Sequence, residues 1–472
     1  MQYQEIMERM DKLLESPIQV IPDKVMEATI SSLRKKSKKA GKLFAQAQKV
    51  IPSGVEHMLS PTKPYPVFIH HGEGPYLIDA DGNKLVDYIC GGGPVLLGHN
   101  PPKIIKKMKQ VLKSKGSYHG LCDEYEILAA QKIVKHLPAV DKVRFLQSGT
   151  EADMAAIRLA RAYTGRKKII KFTASYHGWS DQVVVDLWVP HSGRFMANGI
   201  PEEVTANTVV VQLNDLGALE KAIEDNKDKG GVAGVLVEPL GPESGTIPVD
   251  PEFVKGVREL TSANGIFLIF DEVVTAWRVG MKGAQGMYGI DPELTVLGKI
   301  MGGAFPSSGA LAGKAEYMER LQSGILSGDG KSCFVAGTIA ANLLSCAASY
   351  FTLCEIEKTN AVKKAAAACE MLVKELNKLF EARHSPFFAY NYGSVLHVEM
   401  TAALFLDIRK PDSLPRIMER KAFMNNAQLF LLDQGIMTLM GKGYTTAVHT
   451  KKEIDATVNA YEKLLDVLKP AK

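Results

Sequence analysis

Residues 266–303 read IFLIFDEVVTAWRVGMKGAQGMYGIDPELTVLGKIMGG. Two apolar runs of strand length stand in this stretch, Ile266 to Phe270 and Leu294 to Leu297, and each delivers a charged residue at its end, Asp271 or Lys299. Upstream the pattern repeats: Val143 to Leu146, Lys168 to Phe172, Val209 to Leu213 and Val232 to Val237 are short apolar strands separated by helical stretches. Strands that alternate with helices form a mainly parallel sheet covered on both faces, so the fold class is α/β.

Outward from this block the pattern changes. Residues 1 to about 50 are helix-periodic, with Ile6, Met10, Leu13 and Leu14 in phase and a basic run Arg34-Lys35-Lys36-Ser37-Lys38-Lys39 that reads as a solvated face. Val67 to Cys90 place Asp81-Gly82-Asn83 between two apolar runs, the composition of a tight turn in a small β-meander. After Gly337 a helical run, Ala340 to Leu379, leads into mixed strands and helices such as Val395 to Met400. The expected division is a helical extension over 1–45, the first part of a small α+β domain over 46–90, a large domain over 91–336, and the rest of the small domain over 337–472.

Composition narrows the function. The chain has 472 residues, 46% hydrophobic and 23% charged, which excludes disorder and provides for more than one core. A net charge of +5 is too small a surplus at this length to indicate nucleic-acid binding. Cysteines at 90, 122, 333, 346, 354 and 369 form no C-x-x-C pair and read as reduced, buried thiols. No apolar run approaches the ~18 residues of a membrane span, and the N-terminus lacks a signal core, so a cytoplasmic protein without membrane or nucleic-acid partners is expected.

In an open parallel sheet, ligands bind beyond the carboxyl ends of the strands. Four strand ends are informative. Ser148-x-x-Glu151 is a capping box, which leaves the N–H groups of Gly149 and Thr150 at a helix start suited to a phosphate. Asp271 and Glu272 end a dry strand, where an acid needs a partner; a metal ligand, the counter-ion of a protonated ring nitrogen and a plain loop acid all explain Asp271. Lys299 precedes a glycine pair, and a lysine there can lose its proton and attack a carbonyl to form a Schiff base. Tyr176-His177-Gly178-Trp179 follows the Lys168–Phe172 strand and offers rings for a flat cofactor or for an aromatic core.

Taken together, Ser148-Gly149-Thr150-Glu151-Ala152, Tyr176-His177-Gly178, Glu238-Pro239, Asp271-Glu272-Val273, Leu297-Gly298-Lys299 with Gly302-Gly303, and Gly337-Thr338 resemble, in order and spacing, the class III pyridoxal-phosphate aminotransferases. The wording DEVVTAWRVG is most similar to the branch of glutamate-1-semialdehyde aminomutase and β-amino-acid aminotransferases. The resemblance implies fold type I and a homodimer with active sites at the subunit interface. It makes Lys299 the residue that binds the cofactor aldehyde and Asp271 the partner of the pyridinium nitrogen. Val273 and Tyr176 pack on opposite ring faces. Gly149 and Thr150 hold the phosphate with Thr338 of the neighbouring subunit, and Ser148, His177 and Glu238 complete the cofactor site. No metal is implied.

The implied reaction moves an amino group from an amine or amino acid to a keto acid or aldehyde through pyridoxamine phosphate. A 1,2-aminomutase, racemase or epimerase is the alternative on the same scaffold, and a silent scaffold protein is disfavoured by the intact Lys299 and Asp271. Departures from the family touch the substrate side. Trp179 stands where many relatives carry an arginine, the stretch Gly441 to Thr446 has none, and Glu56-His57-Met58 occupies the place of a carboxylate-binding arginine. With Arg194 and His57 as the remaining candidates for a clamp, an apolar or aromatic face on the amino substrate is expected.

Overall fold

The computed structural model describes residues 1–57, 63–321 and 332–470. The chain divides into two compact units, one made of Met1–Pro102, Lys363–Leu406 and Lys410–Lys472, the other of Lys103–Val362 with Asp407–Arg409.

The second unit is built on a seven-stranded sheet. Its strands are β1 (Lys142–Leu146), β2 (Lys168–Phe172), β3 (Thr208–Val211), β4 (Val232–Val237), β5 (Phe267–Asp271), β6 (Leu294–Gly298) and β7 (Gly309–Gly313). They lie in the order β1-β7-β6-β5-β4-β2-β3. Only β7 runs against its neighbours, pairing antiparallel with both β6 and β1, whereas β6, β5, β4, β2 and β3 pair parallel. Side-chain alternation sends Phe267 and Ile269 to one face and Leu268 and Phe270 to the other. Helix α1 (Gly149–Thr164) covers the first face with Ala152, Ala156, Leu159 and Ala160. Helices α2 (Leu216–Asp225) and α3 (Pro251–Ala263) cover the second with Leu219, Ile223, Phe253 and Val257. Burial on both sides is why these strands read as continuous apolar runs.

The six expected strands are present within a residue or two of their expected ends. The seventh, Gly309–Gly313, reads GALAG and escapes detection because it lacks β-branched and aromatic residues. Small residues are required there: a Cβ at Gly309 would stand 2.3 Å from the Ser148 carbonyl oxygen.

The first unit holds a four-stranded and a three-stranded sheet. In the former, Ile69–Glu73, Tyr76–Asp79 and Lys84–Asp87 form the meander, with Gly82 at φ +89° in the turn, and Ile436–Met437 adds a parallel strand. The latter joins Phe388–Tyr392, Val395–Glu399 and Lys442–Tyr444. Both ends of the chain meet here, since Gln19–Val20 pairs antiparallel with Lys469–Pro470. The expected N-terminal helical stretch is three helices, Tyr3–Glu15, Asp23–Lys36 and Lys38–Ala47. The helical run after Ala340 is likewise broken, into Leu343–Thr359 and Ala361–Ala382, with Asn360 at φ +52° between them.

Candidate functional site

Because β1, β2, β4, β5 and β6 run the same way, their carboxyl ends share one edge of the sheet. Ser148 follows β1, Tyr176 and His177 follow β2, Glu238 follows β4, Asp271 ends β5 and Lys299 follows β6. The singled-out residues of the strand ends are thus brought to one edge by topology alone.

Contacts join them. Asp271 is 7% exposed, and its carboxylate accepts from His177 Nδ1–H at 2.8 Å and from the Val273 backbone N–H at 3.1 Å. Glu238 accepts from the Tyr176 N–H at 2.7 Å and the Ser244 N–H at 3.3 Å. Burial, with Glu243 and Asp271 adding repulsion, pushes the Glu238 carboxyl up to about 8. Gly178, at φ +81°, lies where a Cβ would come within 2.2 Å of Thr150 Oγ1, so the loop after β2 rests on the start of α1. Val273 fills the space beside Gly149 and Gly298, whose absent Cβ atoms would stand 2.8 and 3.2 Å from its methyl groups.

Ser148 caps α1 by accepting from the Glu151 N–H at 3.2 Å. The expected capping box is only half formed, because Glu151 reaches back to the Gln147 N–H (2.9 Å) instead of the cap's own backbone. Lys299 is half-buried at φ +47°, the left-handed region that costs energy for a residue with a side chain. Its ammonium makes no hydrogen bond or ion pair with the described residues.

Other readings separate from the site. Glu272, the second acid of its pair, turns into the interior and accepts from Thr275 Oγ1, from the backbone N–H groups of Ala284 and Gln285, and from Gln285 Nε2–H. It is a fully satisfied structural acid. Arg194 donates to Thr205 Oγ1 (2.8 Å) and to the Ile200 carbonyl oxygen, and so holds its own loop. His57 is exposed in the first unit, and Met58 lies outside the described residues. Thr338 is exposed, and its carbonyl oxygen accepts from Tyr118 Oη–H. Tyr176 stacks on Trp188 with centroids 6.0 Å apart, while Trp179 is 77% exposed.

Three further residues belong to this region. Trp188 is an aromatic at φ +61°. Lys171, fully buried in β2, donates to the carbonyl oxygens of Ser175, Val183 and Val185. Asp153 is the acid in the buried stripe of α1, in phase with Ile157 and Ala160. Among the described residues, Asp153, His177 and Asp271 form the one group whose ligand-capable atoms lie closely enough for a cation, within 4.8 Å of one another.

Comparison with known proteins matches this geometry to a family. Residues 58–410 match the model of Aminotransferase class-III. A glutamate-1-semialdehyde 2,1-aminomutase of Ignicoccus hospitalis is 37% identical over 435 residues, 90% of this chain and 98% of its own. An omega-transaminase from Sphaerobacter thermophilus has the same fold with TM-score 0.79 and 30% identity, over 90% of this chain and 97% of that one. A transaminase with PLP bound superposes with TM-score 0.78 and 27% identity, over 91% of this chain and 97% of that one.

The residues suit pyridoxal phosphate. A buried carboxylate already braced by an imidazole faces the edge, an uncommitted primary amine follows the adjacent strand at the same edge, and glycines keep the backbone around Val273 bare. A helix start with a capped first turn stands next to them for an anionic group. By fold, motif and full-length likeness, the chain belongs to the class III aminotransferases and is a pyridoxal-phosphate-dependent enzyme.

Proposed function

We propose that this enzyme is an aminomutase, which moves an amino group between adjacent carbons of one small substrate. The observation that carries this reading is the match, across nine-tenths of the chain, to a relative named as a 2,1-aminomutase. The transaminases with the same fold are less similar in sequence. Bound pyridoxal phosphate supplies an aldehyde and an electron-withdrawing ring. The chain supplies the rest. With that group bound, Asp271 would hold the proton on the ring nitrogen, Lys299 Nζ would hold the aldehyde carbon and move the proton at the substrate carbon, and Val273 and Tyr176 would pack against the ring. Ser148, Gly149 and Thr150 bind the phosphate at the start of α1, assisted by Thr338 of a second subunit, while His177 and Glu238 brace Asp271 and the Tyr176 loop. The assembly is a homodimer in the cytoplasm.

The test offers glutamate-1-semialdehyde to the purified holoenzyme with no second carbonyl compound and follows the isomer by chromatography. Positional isomerisation without an acceptor is the expected result. Turnover only when pyruvate or 2-oxoglutarate is added would replace this reading with two-step transamination, and inversion at an unchanged carbon would replace it with racemisation. Transamination of apolar amines is favoured by one observation, the Glu56-His57-Met58 sequence and exposed Trp179, which put no arginine where the family resemblance implies a carboxylate clamp. A panel of amines and α- and β-amino acids separates it, since an apolar site tolerates loss of the carboxylate.

A further inference from the structure

Asp153 is 1% exposed on the face of α1 that covers Asp271. A buried acid on an alanine-rich stripe is costly unless it is partnered. Yet Asp153 Oδ1 has no hydrogen-bond partner, and neither does His177 Nε2, also buried. The two side chains converge with Asp271 within 4.8 Å. We infer that Asp153 is a positioning residue that keeps a proton and presents it to His177 Nε2, directly or through one water, so that the imidazole donates from Nδ1 to a charged Asp271. The inference rests on the reading of Asp271 as partner of the cofactor's ring nitrogen.

The charges around the cluster lead to this assignment. Two ionised carboxylates cannot share a dry site at this distance without a cation between them. Asp271 has a donor on each oxygen, His177 Nδ1–H and the Val273 N–H, and is the one that stays ionised. Asp153 has no donor and is the one that keeps its proton. The charged groups that act on Asp153 and His177 supply no free cation to them, and Lys299, whose ammonium is free, is not among those groups. Glu238 and Glu243 are acids, and Tyr176 is a phenol whose acidity burial weakens. Lys171, the cation that acts on His177, spends its donors on three carbonyl oxygens. Burial raises Asp153 well above the carboxylate range, reinforced by Asp271 and Glu238, and burial lowers His177, which leaves it a neutral imidazole with one N–H. With that hydrogen on Nδ1 toward Asp271, Nε2 is a bare acceptor, and the proton on Asp153 is what it lacks. The opposite tautomer would aim a lone pair at Asp271 and weaken the charge behind the ring.

The test begins with the apoprotein, where the proton can be read apart from any reaction. Infrared difference spectra of wild type and Asp153→Asn are expected to show a protonated carboxyl band in wild type that the variant lacks. A raised carboxyl binds its proton more tightly in the folded state, so its contribution is complete below the unfolded value of about 4 and is lost as pH rises. The folding constant of wild type relative to Asp153→Asn therefore falls roughly tenfold per pH unit above about pH 5, until the raised folded-state value is passed. In the holoenzyme, Asp153→Ala lowers kcat more than it changes KM, and Asp153→Asn, which restores a donor, recovers most of the loss. Parallel pH curves with no carboxyl band would overturn the inference. So would equal damage from both variants, or uptake of one equivalent of zinc by the apoprotein that Asp153→Asn abolishes.

Discussion

Lys299 differs from a surface lysine by what it forgoes. It holds a left-handed backbone conformation at φ +47° and keeps its ammonium out of every ion pair among the described residues. Strain of this kind, of order 1–3 kcal/mol, persists where the surrounding structure fixes the residue for use. Lys299→Ala is expected to abolish turnover, and borohydride treatment of the holoenzyme should mark Lys299 in peptide maps of wild type only; label on another lysine would refute its role. Asp271 earns a parallel expectation. Its amide analogue keeps the shape and loses the charge that, in the proposed role, holds a proton on the ring, an interaction stronger in the transition state than in the bound substrate. Asp271→Asn should therefore lower kcat by about two orders of magnitude or more while KM changes little, and steady-state kinetics at saturating cofactor read the difference.

At the scale of elements, the loop after β2 is where side-chain chemistry decides a backbone path. Lys171 Nζ donates to the carbonyl oxygens of Ser175 (2.9 Å), Val183 (3.0 Å) and Val185 (2.7 Å), winding the segment that carries Tyr176 and His177 around one ammonium. Lys171→Met would leave three buried carbonyls unpaired, each worth about 1–3 kcal/mol, so the variant should lose several kcal/mol and bind cofactor poorly. Burial pushes Lys171 down to about 8, with Asp186 and Glu238 pulling it back. A lysine depressed in the folded state burdens that state fully below its folded value, and the burden lifts as pH rises toward the unfolded value of about 10.4. The advantage of wild type over Lys171→Met should then grow by about 1.4 kcal/mol per pH unit between about 8 and 10, as chemical unfolding at the two ends can measure. A falling difference would mean that the three carbonyls outweigh burial.

The same elements show what a sequence discloses. The parallel strands were legible because both of their faces are buried, so β2 and β4 declare themselves as unbroken apolar runs. The site was legible because a parallel sheet gathers its strand ends, which turns a lysine after Leu294–Gly298 and an acid ending Phe267–Asp271 into neighbours. What stayed hidden depends on facing partners that no local pattern records. The GALAG strand is made of small residues because Gly309 lies against Ser148, and Glu272 adjoins Asp271 in sequence although its donors come from Ala284 and Gln285. Asp153 was detectable in principle by its phase on α1, since an acid in a buried stripe marks either a partner or a proton.

For the whole molecule, the proposal that Thr338 serves the neighbouring subunit makes a prediction about mixed dimers. The residue is exposed, fixed within its own chain through the Tyr118 contact to its carbonyl oxygen, so its hydroxyl is available to another chain. Two separately inactive variants resolve the matter. In a mixed dimer of Lys299→Ala and Thr338→Trp chains, the Thr338→Trp chain contributes an intact Lys299. If Thr338 acts across the interface, that same site receives an unaltered Thr338 from its neighbour and is whole. Random mixing makes half the dimers mixed, each with one whole site of two, so about one quarter of wild-type activity should return after the variants are unfolded and refolded together. If Thr338 acts within its own chain, the lysine-bearing site keeps its blocked phosphate and the other keeps no lysine, and mixing restores nothing. Light scattering at the assay concentration decides the premise, since a monomer there would remove the shared site altogether.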